Sequence, residues 1–474
     1  MFFIGFFALL GVLLFGFCFW MVVGKKAALP RRSLALLFLA ALFLRLLAAA
    51  LSKGFGSDTA CFAAWADRVF QLGPGGFYSP DVFTDYPPGY MYMLWLVGGI
   101  RQLFSLEYYS VPHLILLKLP AISCDMACGL LIYREACKKG SEHQGLFLCM
   151  AYLFNPAVFL NSSVWGQVDS VFTLALAYMC ICLVRGKLPT AYIAFGIGVL
   201  IKPQMLVFAP VLLAGIIDWV FLKDFTAKKF FHHLFLGTAA ILGMVILCMP
   251  FGLENVWNQY FSTLASYPYA AVNAYNFWGL LGLNWVSQEN TFLGIPYRTY
   301  GAFAIVAAVV LAAFMAYRRR DKEKYPILGA VLILTVFSFS VRMHERYMYP
   351  GLFLLLLAYI YKPKKQIYLC YGIFSVLHFL NTAHVVFFYD PSNYDRTAPF
   401  LLAVSGGFLL GMGLLYYTVF RVYGLAGGRA QEECAPLAAL PFSHEKNSPS
   451  GSSQTGSGRL FSRLKDLLAA GQAP

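Results

Sequence analysis

Long apolar runs recur through almost the whole chain and leave little room for a water-soluble fold. Apolar side chains make up 59% of the 474 positions, and only 12% of the residues are charged. A helix of about 20 apolar residues can cross the hydrocarbon core of a bilayer with all its backbone polar groups paired internally. The sequence therefore predicts an all-α, polytopic membrane protein with about 13 transmembrane helices.

Short polar segments separate the predicted spans, and several spans are shorter than a full crossing. Their approximate bounds are 3–23, 33–51, 113–133, 144–161, 166–184, 189–203, 204–222, 230–250, 298–317, 326–341, 348–361, 366–388 and 398–421. The apolar run 89–104 is left out of this count. We expect this run to re-enter the membrane or to lie on its surface. The alternative is that the spans given above omit one crossing close to it.

Lys and Arg are concentrated in alternate polar segments. The clusters hold 26 of the 36 basic residues and lie at 24–32, 134–143, 185–187, 223–229, 317–324, 362–365 and from 421 onward. Basic loops stay in the cytoplasm, so these segments are expected inside, with the N-terminus outside and the C-terminus inside. The net charge of +14 then reflects topology, and no nucleic-acid partner is expected.

The composition changes near residue 424. Ser, Gly and charged residues dominate from there onward, a composition typical of disordered chain. The sequence thus predicts a transmembrane domain over 1–423 and a disordered, basic cytoplasmic tail over 424–474.

The first long polar stretch between spans, residues 52–90, carries an acid at each end. Near its start, Ser57 is expected to cap an amphipathic helix that lies along the membrane surface. Asp58 then falls in the first helical turn, where a carboxylate meets the positive end of the helix dipole. From this stretch alone, a plain helix-capping role for Asp58 is the simpler interpretation.

Near the end of the same stretch, Asp85 directly precedes Tyr86, Pro87 and Pro88. The two prolines favour a rigid entry into the apolar run that follows. Tyr86 and Asp85 remain candidates for contact with a substrate.

Three further polar clusters interrupt the apolar pattern. They are Trp165, Gln167 and Asp169; Lys202; and Arg342, His344, Glu345 and Arg346. The positive-inside orientation places all three on the same outer face as the two aspartates. Ionisable residues at the edge of a bilayer are costly unless they face a cavity or a ligand, so this convergence indicates a functional site.

Local ion pairing is the competing interpretation for several of these residues. Asp169 can pair with Lys202 as a packing bridge between helices, and Glu345 can neutralise a neighbouring arginine. His344 lies between Arg342 and Arg346, and we interpret the three as an anion-binding patch.

A carboxylate that faces cations at a membrane surface suits the transfer of a sugar from a lipid phosphate to a hydroxyl group. The departing phosphate needs cationic stabilisation, and the acceptor hydroxyl needs a base. In-line attack inverts the anomeric centre. Asp58 is the first candidate for the base, and Asp85 is the second or else orients the acceptor. Basic side chains can replace a divalent cation here, so neither a metal nor another cofactor is expected.

The motifs together resemble a known superfamily. The strings "SD", "DYPPGY", "LFNPAVFLNSSVWGQVDS", "IKPQ" and "SVRMHERYMYP" look like those of the GT-C superfamily of polyprenyl-phosphate-sugar-dependent glycosyltransferases. The pattern is most similar to the dolichyl-phosphate-glucose-dependent glucosyltransferases and their bacterial relatives. The resemblance implies an extracytoplasmic or lumenal site, an inverting mechanism, Asp58 as the base, and a donor phosphate bound near Lys202 and His344.

The resulting hypothesis is a metal-independent hexosyltransferase, mannosyl or glucosyl, with a polyprenyl-phosphate sugar as donor. The acceptor is a hydroxyl group on a glycan, a lipid-linked glycan or a protein. The candidate substrate-binding residues are Lys202, Arg342, His344, Arg346, Trp165, Gln167, Asp169 and Tyr86. The bacterial plasma membrane is the expected location, with the endoplasmic reticulum membrane as the alternative. A transporter or flippase of lipid-linked glycans is the rival function, although the internal repeats common in carriers are not found.

Overall fold

A computed structural model describes residues 1–24, 32–80, 82–319 and 321–424, except for the side chain of Leu264. Apart from Gly424, the predicted tail lies outside these residues. The boundary between the transmembrane domain and the tail therefore stays a prediction.

Helices dominate the described residues, as the apolar pattern predicts. The first nine are α1 (Phe2–Val23), α2 (Ser33–Leu51), α3 (Gly56–Leu72), α4 (Pro88–Leu103), α5 (Val111–Lys139), α6 (Glu142–Leu153), α7 (Pro156–Phe159), α8 (Asp169–Val184) and α9 (Leu188–Ile201). The others are α10 (Ala209–Ile216), α11 (Ala227–Cys248), α12 (Leu253–Ala265), α13 (Phe277–Leu280), α14 (Tyr297–Arg318), α15 (Tyr325–Phe339), α16 (Tyr349–Tyr361), α17 (Lys365–Phe388) and α18 (Pro399–Val422).

Strands in the described residues are four two-residue pieces that lie in loops. They are β1 (Ala271–Val272), β2 (Thr291–Phe292), β3 (Ile295–Pro296) and β4 (Met343–His344). β1 pairs in parallel with β4, and β2 pairs antiparallel with β3. The first pairing joins the loop after α15 to the long loop between α11 and α14.

Eight helices in the described part of the chain are long and apolar enough to cross a membrane, and one bent pair can supply a ninth. α8, α9 and α16 are apolar but shorter, and most of their side chains are buried in the bundle. The prediction of an all-α, polytopic membrane protein is confirmed. The count of thirteen crossings, which includes these shorter helices, stays a prediction.

The predicted span 144–161 is wrong as a single helix. α6 ends at Leu153, and the next helical segment, Pro156–Trp165, is bent from it by 52°. The break has a local cause, because Pro156 lacks a backbone N–H and cannot continue the α6 hydrogen-bond ladder. The Asn155 side chain instead accepts a hydrogen bond from the Ala157 N–H at 3.0 Å and starts α7.

The basic segments meet at one end of the bundle, which we call the basic end. Arg185 pairs with Glu135, and Lys139 pairs with Glu323. The same end holds the C-terminus of α18, where Tyr423 accepts a hydrogen bond from Arg319 at 3.2 Å. Segments far apart in sequence therefore share a side, as their charge predicts.

The first loop, residues 52–87, and the helix α4 that follows it together add no net crossing. Lys118 near the start of α5 donates to the Ser52 carbonyl at 2.5 Å, so α2 ends at the level where α5 begins. Between them, α3 and α4 pack side by side with their N-terminal ends together. Phe62 contacts Tyr90 at 5.6 Å between ring centroids near one end. This arrangement agrees with the prediction that 89–104 is not an ordinary crossing.

One detail of the predicted surface helix is wrong. α3 begins at Gly56 after Phe55, and no side chain caps it, so Ser57 is not the cap. On the same helix, the Asp67 carboxylate pairs with Arg101 on α4 at 2.6 Å and accepts a hydrogen bond from Tyr108. The helix is thus held by a partner helix as well as by its apolar face.

Candidate active site

A sharp turn after α7 positions the first group of polar side chains. Residues Leu160–Trp165 form a single wide helical turn, and Gly166 follows with φ of 87°. Left-handed backbone of this kind suits glycine. A Cβ at Gly166 would also lie 2.7 Å from the Lys118 side chain. The turn directs Trp165 and Gln167 toward the first loop.

Asp58 is the acceptor for both of these side chains. Trp165 Nε1 donates to Asp58 Oδ2 at 2.9 Å, and Gln167 Nε2 donates to the same oxygen. Among the described residues, Oδ1 receives no hydrogen bond. The carboxylate is therefore oriented from one side, which is more than a helix cap requires.

Tyr86 connects the other end of the first loop to the same cluster. Its hydroxyl lies 3.5 Å from Gln167 Oε1, and its ring packs against Trp65 at 5.9 Å between centroids. Pro87 precedes α4 and Pro88 is its first residue, which confirms the predicted rigid entry. Both ends of the loop thus converge on Gln167.

Lys202 and Arg346 each have a carboxylate partner. Lys202 ends α9 in extended backbone, and its ammonium group pairs with the buried Asp169. Arg346 Nη1 lies 2.8 Å from Glu345 Oε1, and its Nε lies 3.9 Å from Asp169 Oδ2. The predicted pairings are confirmed, and Asp169 connects both cations.

Arg346 also bridges this ion-pair group to the Asp58 group. Its guanidinium carbon lies 5.5 Å from the centre of the Trp165 ring, and Trp165 is the residue that donates to Asp58. The clusters predicted from distant parts of the chain are therefore in one connected network.

His344 lies in β4 and is 6% exposed. Its ring stands edge-on to Tyr267 at 4.6 Å between centroids. Burial, reinforced by Arg346 and Lys202, lowers the pKa of His344 well below its usual range. The imidazole is therefore neutral near pH 7, so in this structure the anion-binding patch receives its charge from the arginines and not from His344.

Asp85 differs from Asp58 in its surroundings. Burial raises the pKa of Asp85 to about 6, opposed by Arg346 and Lys202 and assisted by Asp58. No hydrogen bond to its carboxylate is found among the described residues. A carboxylate that receives no hydrogen bond from the described residues can accept one from an incoming hydroxyl group.

A cavity of about 430 Å³ opens beside these groups. Six of the ten predicted site residues line it, namely Asp85, Tyr86, Lys202, Arg342, His344 and Arg346. The other four, Asp58, Trp165, Gln167 and Asp169, do not line it and instead belong to the network that supports its wall. The structure thus brings all ten predicted residues together. Six of them form part of the cavity wall, and four belong to the network of contacts outside the cavity, behind that wall.

The cavity has two chemically different ends. The basic lining residues lie at the ends of α9 and α14 and in the loop after α15, whereas apolar lining residues lie about one turn or more inside the helices, including Leu206, Val207, Ile305, Ile333 and Val336. The apolar walls come from the segment before α10 and from α14 and α15, which are parts of the membrane bundle. An elongated ligand with a charged head and an apolar tail fits this division.

Sequence reasoning did not single out three cavity residues that come from the long loop between α11 and α14 and from the start of α14. Tyr267, Gln288 and Arg298 line the cavity. Gln288 accepts a hydrogen bond from Arg342 Nε at 2.8 Å, and Arg298 pairs with Glu289 at 3.0 Å. Arg298 lies in the first turn of α14, at the end of the bundle opposite the basic end. A basic residue outside the predicted cytoplasmic segments is unusual, and this feature of the sequence could have identified Arg298 as a site residue.

Within the described ranges, no group of three or more His, Cys, Asp or Glu side chains is positioned to hold a metal ion. Metal independence stays a prediction.

Comparison with known proteins identifies a family. A solved structure of ArnT from Cupriavidus metallidurans bound to undecaprenyl phosphate is 15% identical, with a TM-score of 0.47, over 83% of this chain and 74% of that chain. Comparison with curated proteins finds no match. Residues 83–342, more than half of the sequence, match Glycosyltransferase family 87. The chain therefore belongs to Glycosyltransferase family 87.

Proposed function

We propose that this protein transfers a hexose from a polyprenyl-phosphate donor to a hydroxyl acceptor, with inversion at the anomeric carbon and without a metal ion. The observation that carries the proposal is the two-ended cavity. Lys202, Arg298, Arg342 and Arg346 line it, and Asp85 is the acidic residue of its wall. A lipid phosphate has the matching form, because its head is anionic and its tail is apolar.

The cations of the cavity stabilise the negative charge that develops on the leaving phosphate. When the acceptor oxygen forms its bond to the sugar C1, the bond between C1 and the phosphate oxygen breaks, and the electron pair leaves with the polyprenyl phosphate. Preorganised cations stabilise this developing charge most effectively in a site that excludes water. Asp169 and Glu345 hold Lys202 and Arg346 in position before the donor binds.

Two carboxylates can take the proton of the acceptor hydroxyl. We assign the base to Asp58, because two hydrogen bonds to Oδ2 orient it and leave Oδ1 available, and because it lies close enough to Asp85 on the cavity wall to raise the pKa of that carboxyl. A base oriented by a third group is the usual arrangement in activated sites. Asp85, on the cavity wall, then binds the acceptor hydroxyl and directs it toward C1.

The charge asymmetry supports an extracytoplasmic site. The basic segments cluster at the basic end, whereas the cavity lies near the ends of α9 and α15 that point away from it. By the positive-inside rule the cavity then opens outside the cytoplasm. A bacterial plasma membrane is the proposed location. Membership in a glycosyltransferase family favours this enzyme over the transporter alternative.

The test is a transfer assay with purified protein in lipid nanodiscs. Radiolabelled polyprenyl-phosphate mannose, glucose and galactose are each incubated with glycolipid and glycan fractions from membranes. We expect one label to move, at a rate that EDTA does not change, and Asp58→Asn to slow transfer about 10²- to 10⁴-fold.

Asp390→Asn is the matched control, because Asp390 is an exposed loop aspartate outside the site and its change should leave the rate unaltered. Full activity of Asp58→Asn with an inactive Asp85→Asn would move the base to Asp85. Transfer of no label by wild-type protein would overturn the proposed donor class.

A further inference from the structure

A groove of about 480 Å³ adjoins the cavity described above at Asp85. We call that cavity the donor cavity, after the proposed donor. Its walls are the end of the first loop and one face of α12. Asp85, Thr263 and Ser266 line both the groove and the cavity. A molecule in the groove would therefore contact the carboxylate that also faces the donor cavity.

The groove is polar but nearly uncharged. Asn255, Asn258, Gln259 and Ser262 line it from α12, and Asp85 is the charged residue among its described lining residues. Amide and hydroxyl groups both donate and accept hydrogen bonds, as sugar hydroxyls do. No lysine or arginine is found in the described lining to offset a phosphate or carboxylate on the ligand.

Gln259 fixes the shape of the groove. Its amide nitrogen donates to the Thr84 carbonyl at 2.6 Å, and its amide oxygen accepts from the Thr84 hydroxyl at 2.6 Å. These bonds tie α12 to the first loop and use the Gln259 amide. The exposed Asn258 has no hydrogen-bond partner among the described residues, so its amide is available to a ligand.

The opposite face of α12 is apolar and exposed. Leu253, Trp257 and Phe261 recur every four residues and are 46%, 65% and 55% exposed. A helix with one apolar face and one polar face, carrying Trp and Phe, lies in the membrane interface. The groove therefore opens at the membrane surface, within reach of a sugar on a membrane-anchored molecule.

We propose that the groove between the first loop and α12 is the acceptor subsite, and that it binds a neutral, hydroxyl-rich glycan at the membrane interface. This rests on the proposed function and deepens it by naming the acceptor class. Asp85 joins the two sites: the reacting hydroxyl lies beside it, and the rest of the acceptor sugar contacts Asn258 and Ser262.

The test measures binding, so that it does not depend on turnover. Photoreactive n-octyl mannoside, glucoside and galactoside, each with a diazirine next to the sugar, are cross-linked to the protein in nanodiscs, and the labelled peptides are mapped by mass spectrometry. We expect at least one probe to label 78–84 or 252–266. Unlabelled octyl hexoside should compete, whereas undecaprenyl phosphate and octyl hexoside 6-phosphate should not.

Variants complete the test. Asn258→Ala combined with Ser262→Ala should lower labelling about tenfold through the loss of two hydrogen bonds. Glu254→Gln, an exposed change on α12 outside the groove, should retain it. Both altered side chains in the double variant are exposed, so we expect its melting temperature to equal that of the wild type. That measurement checks that the variant is folded.

Absence of label from both segments with all three probes would overturn the proposal, as would equal labelling of the double variant. Competition by undecaprenyl phosphate would place the probe in the donor cavity, and competition by the phosphorylated hexoside would contradict a neutral ligand. Because cross-linking needs no donor, it remains informative even if no lipid-phosphate sugar is transferred.

Discussion

At the scale of single residues, the charge of each cavity side chain depends on what lies behind it. Asp169 and Glu345 compensate the charges of Lys202 and Arg346 through ion pairs. A buried cation left without such a partner would be strongly unfavourable. For His344, burial lowers the pKa of the imidazole, and the neighbouring cations Arg346 and Lys202 lower it further. The same polar cluster thus contains ion-paired cations and the neutral imidazole of His344.

Asp85 supplies a prediction about pH. The pKa of its carboxyl is about 6, above the usual value of about 3.9. A raised pKa means that Asp85 is ionised above pH 6 and gains a proton as the pH falls through 6. If transfer requires the ionised form, the rate should fall about tenfold between pH 7 and pH 5.

The measurement is kcat/KM for the acceptor from pH 5 to pH 8. Asp390→Asn should reproduce the wild-type profile, whereas Asp85→Asn should lose the limb near pH 6 along with most of its activity. A limb that persists near pH 6 in Asp85→Asn would assign it to another group.

At the scale of elements, the site is built where helices are interrupted. α7 gives way to the wide turn at 160–165 and then to α8, α9 stops at Lys202, and α15 stops before the loop that carries β4. At each interruption a short segment is not α-helical, and the helices on either side fix the positions of its two ends. Polar side chains are thereby fixed at the rim of an otherwise apolar bundle.

A substitution at Gly166 would test the importance of the turn between α7 and α8. Gly166→Ala should cost about 1–2 kcal/mol in left-handed backbone strain, and the new Cβ would also collide with the Lys118 side chain. We expect a modest fall in melting temperature and a larger fall in transfer rate, because Trp165 and Gln167 would shift away from Asp58.

Gly294→Ala provides the matched control. Gly294 has φ of 77°, but a Cβ there would meet nothing within 4 Å, so it carries the strain without the collision. It should lose a similar amount of stability and keep its activity. Wild-type transfer by Gly166→Ala would show that the turn does not position the site.

At the scale of the whole molecule, the separation of the two ends is the main organising feature. α1 ends where His143 contacts the Met21 carbonyl at 2.8 Å, and α18 ends in the same basic region. The N-terminus of α1 and the C-terminus of α18 therefore lie at opposite ends. This agrees with the predicted odd number of crossings.

Topology can be measured directly in intact cells. Ser392→Cys places a thiol in the exposed loop between α17 and α18, and Lys228→Cys places one in a basic segment. A membrane-impermeant maleimide should label the first without permeabilisation and the second only after it. The reverse pattern would put the cavity on the cytoplasmic side and contradict the proposed location.

The sequence by itself determined the class of fold, the shared side of the polar clusters and the identity of the ten candidate residues. These follow from apolar run length, from the distribution of Lys and Arg, and from the high cost of burying a charge in lipid, all of which are local or additive properties. The break at Pro156 also has a local signal, although it was missed.

Tertiary structure alone decided which candidates line the cavity and which support it. Asp85 lines the cavity, whereas Asp58 lies near it and is held by Trp165 and Gln167, more than 100 positions away. The neutral state of His344 and the role of Arg298 depend likewise on neighbours from other segments. Contacts between distant residues arise only when the chain packs, so no local pattern encodes them.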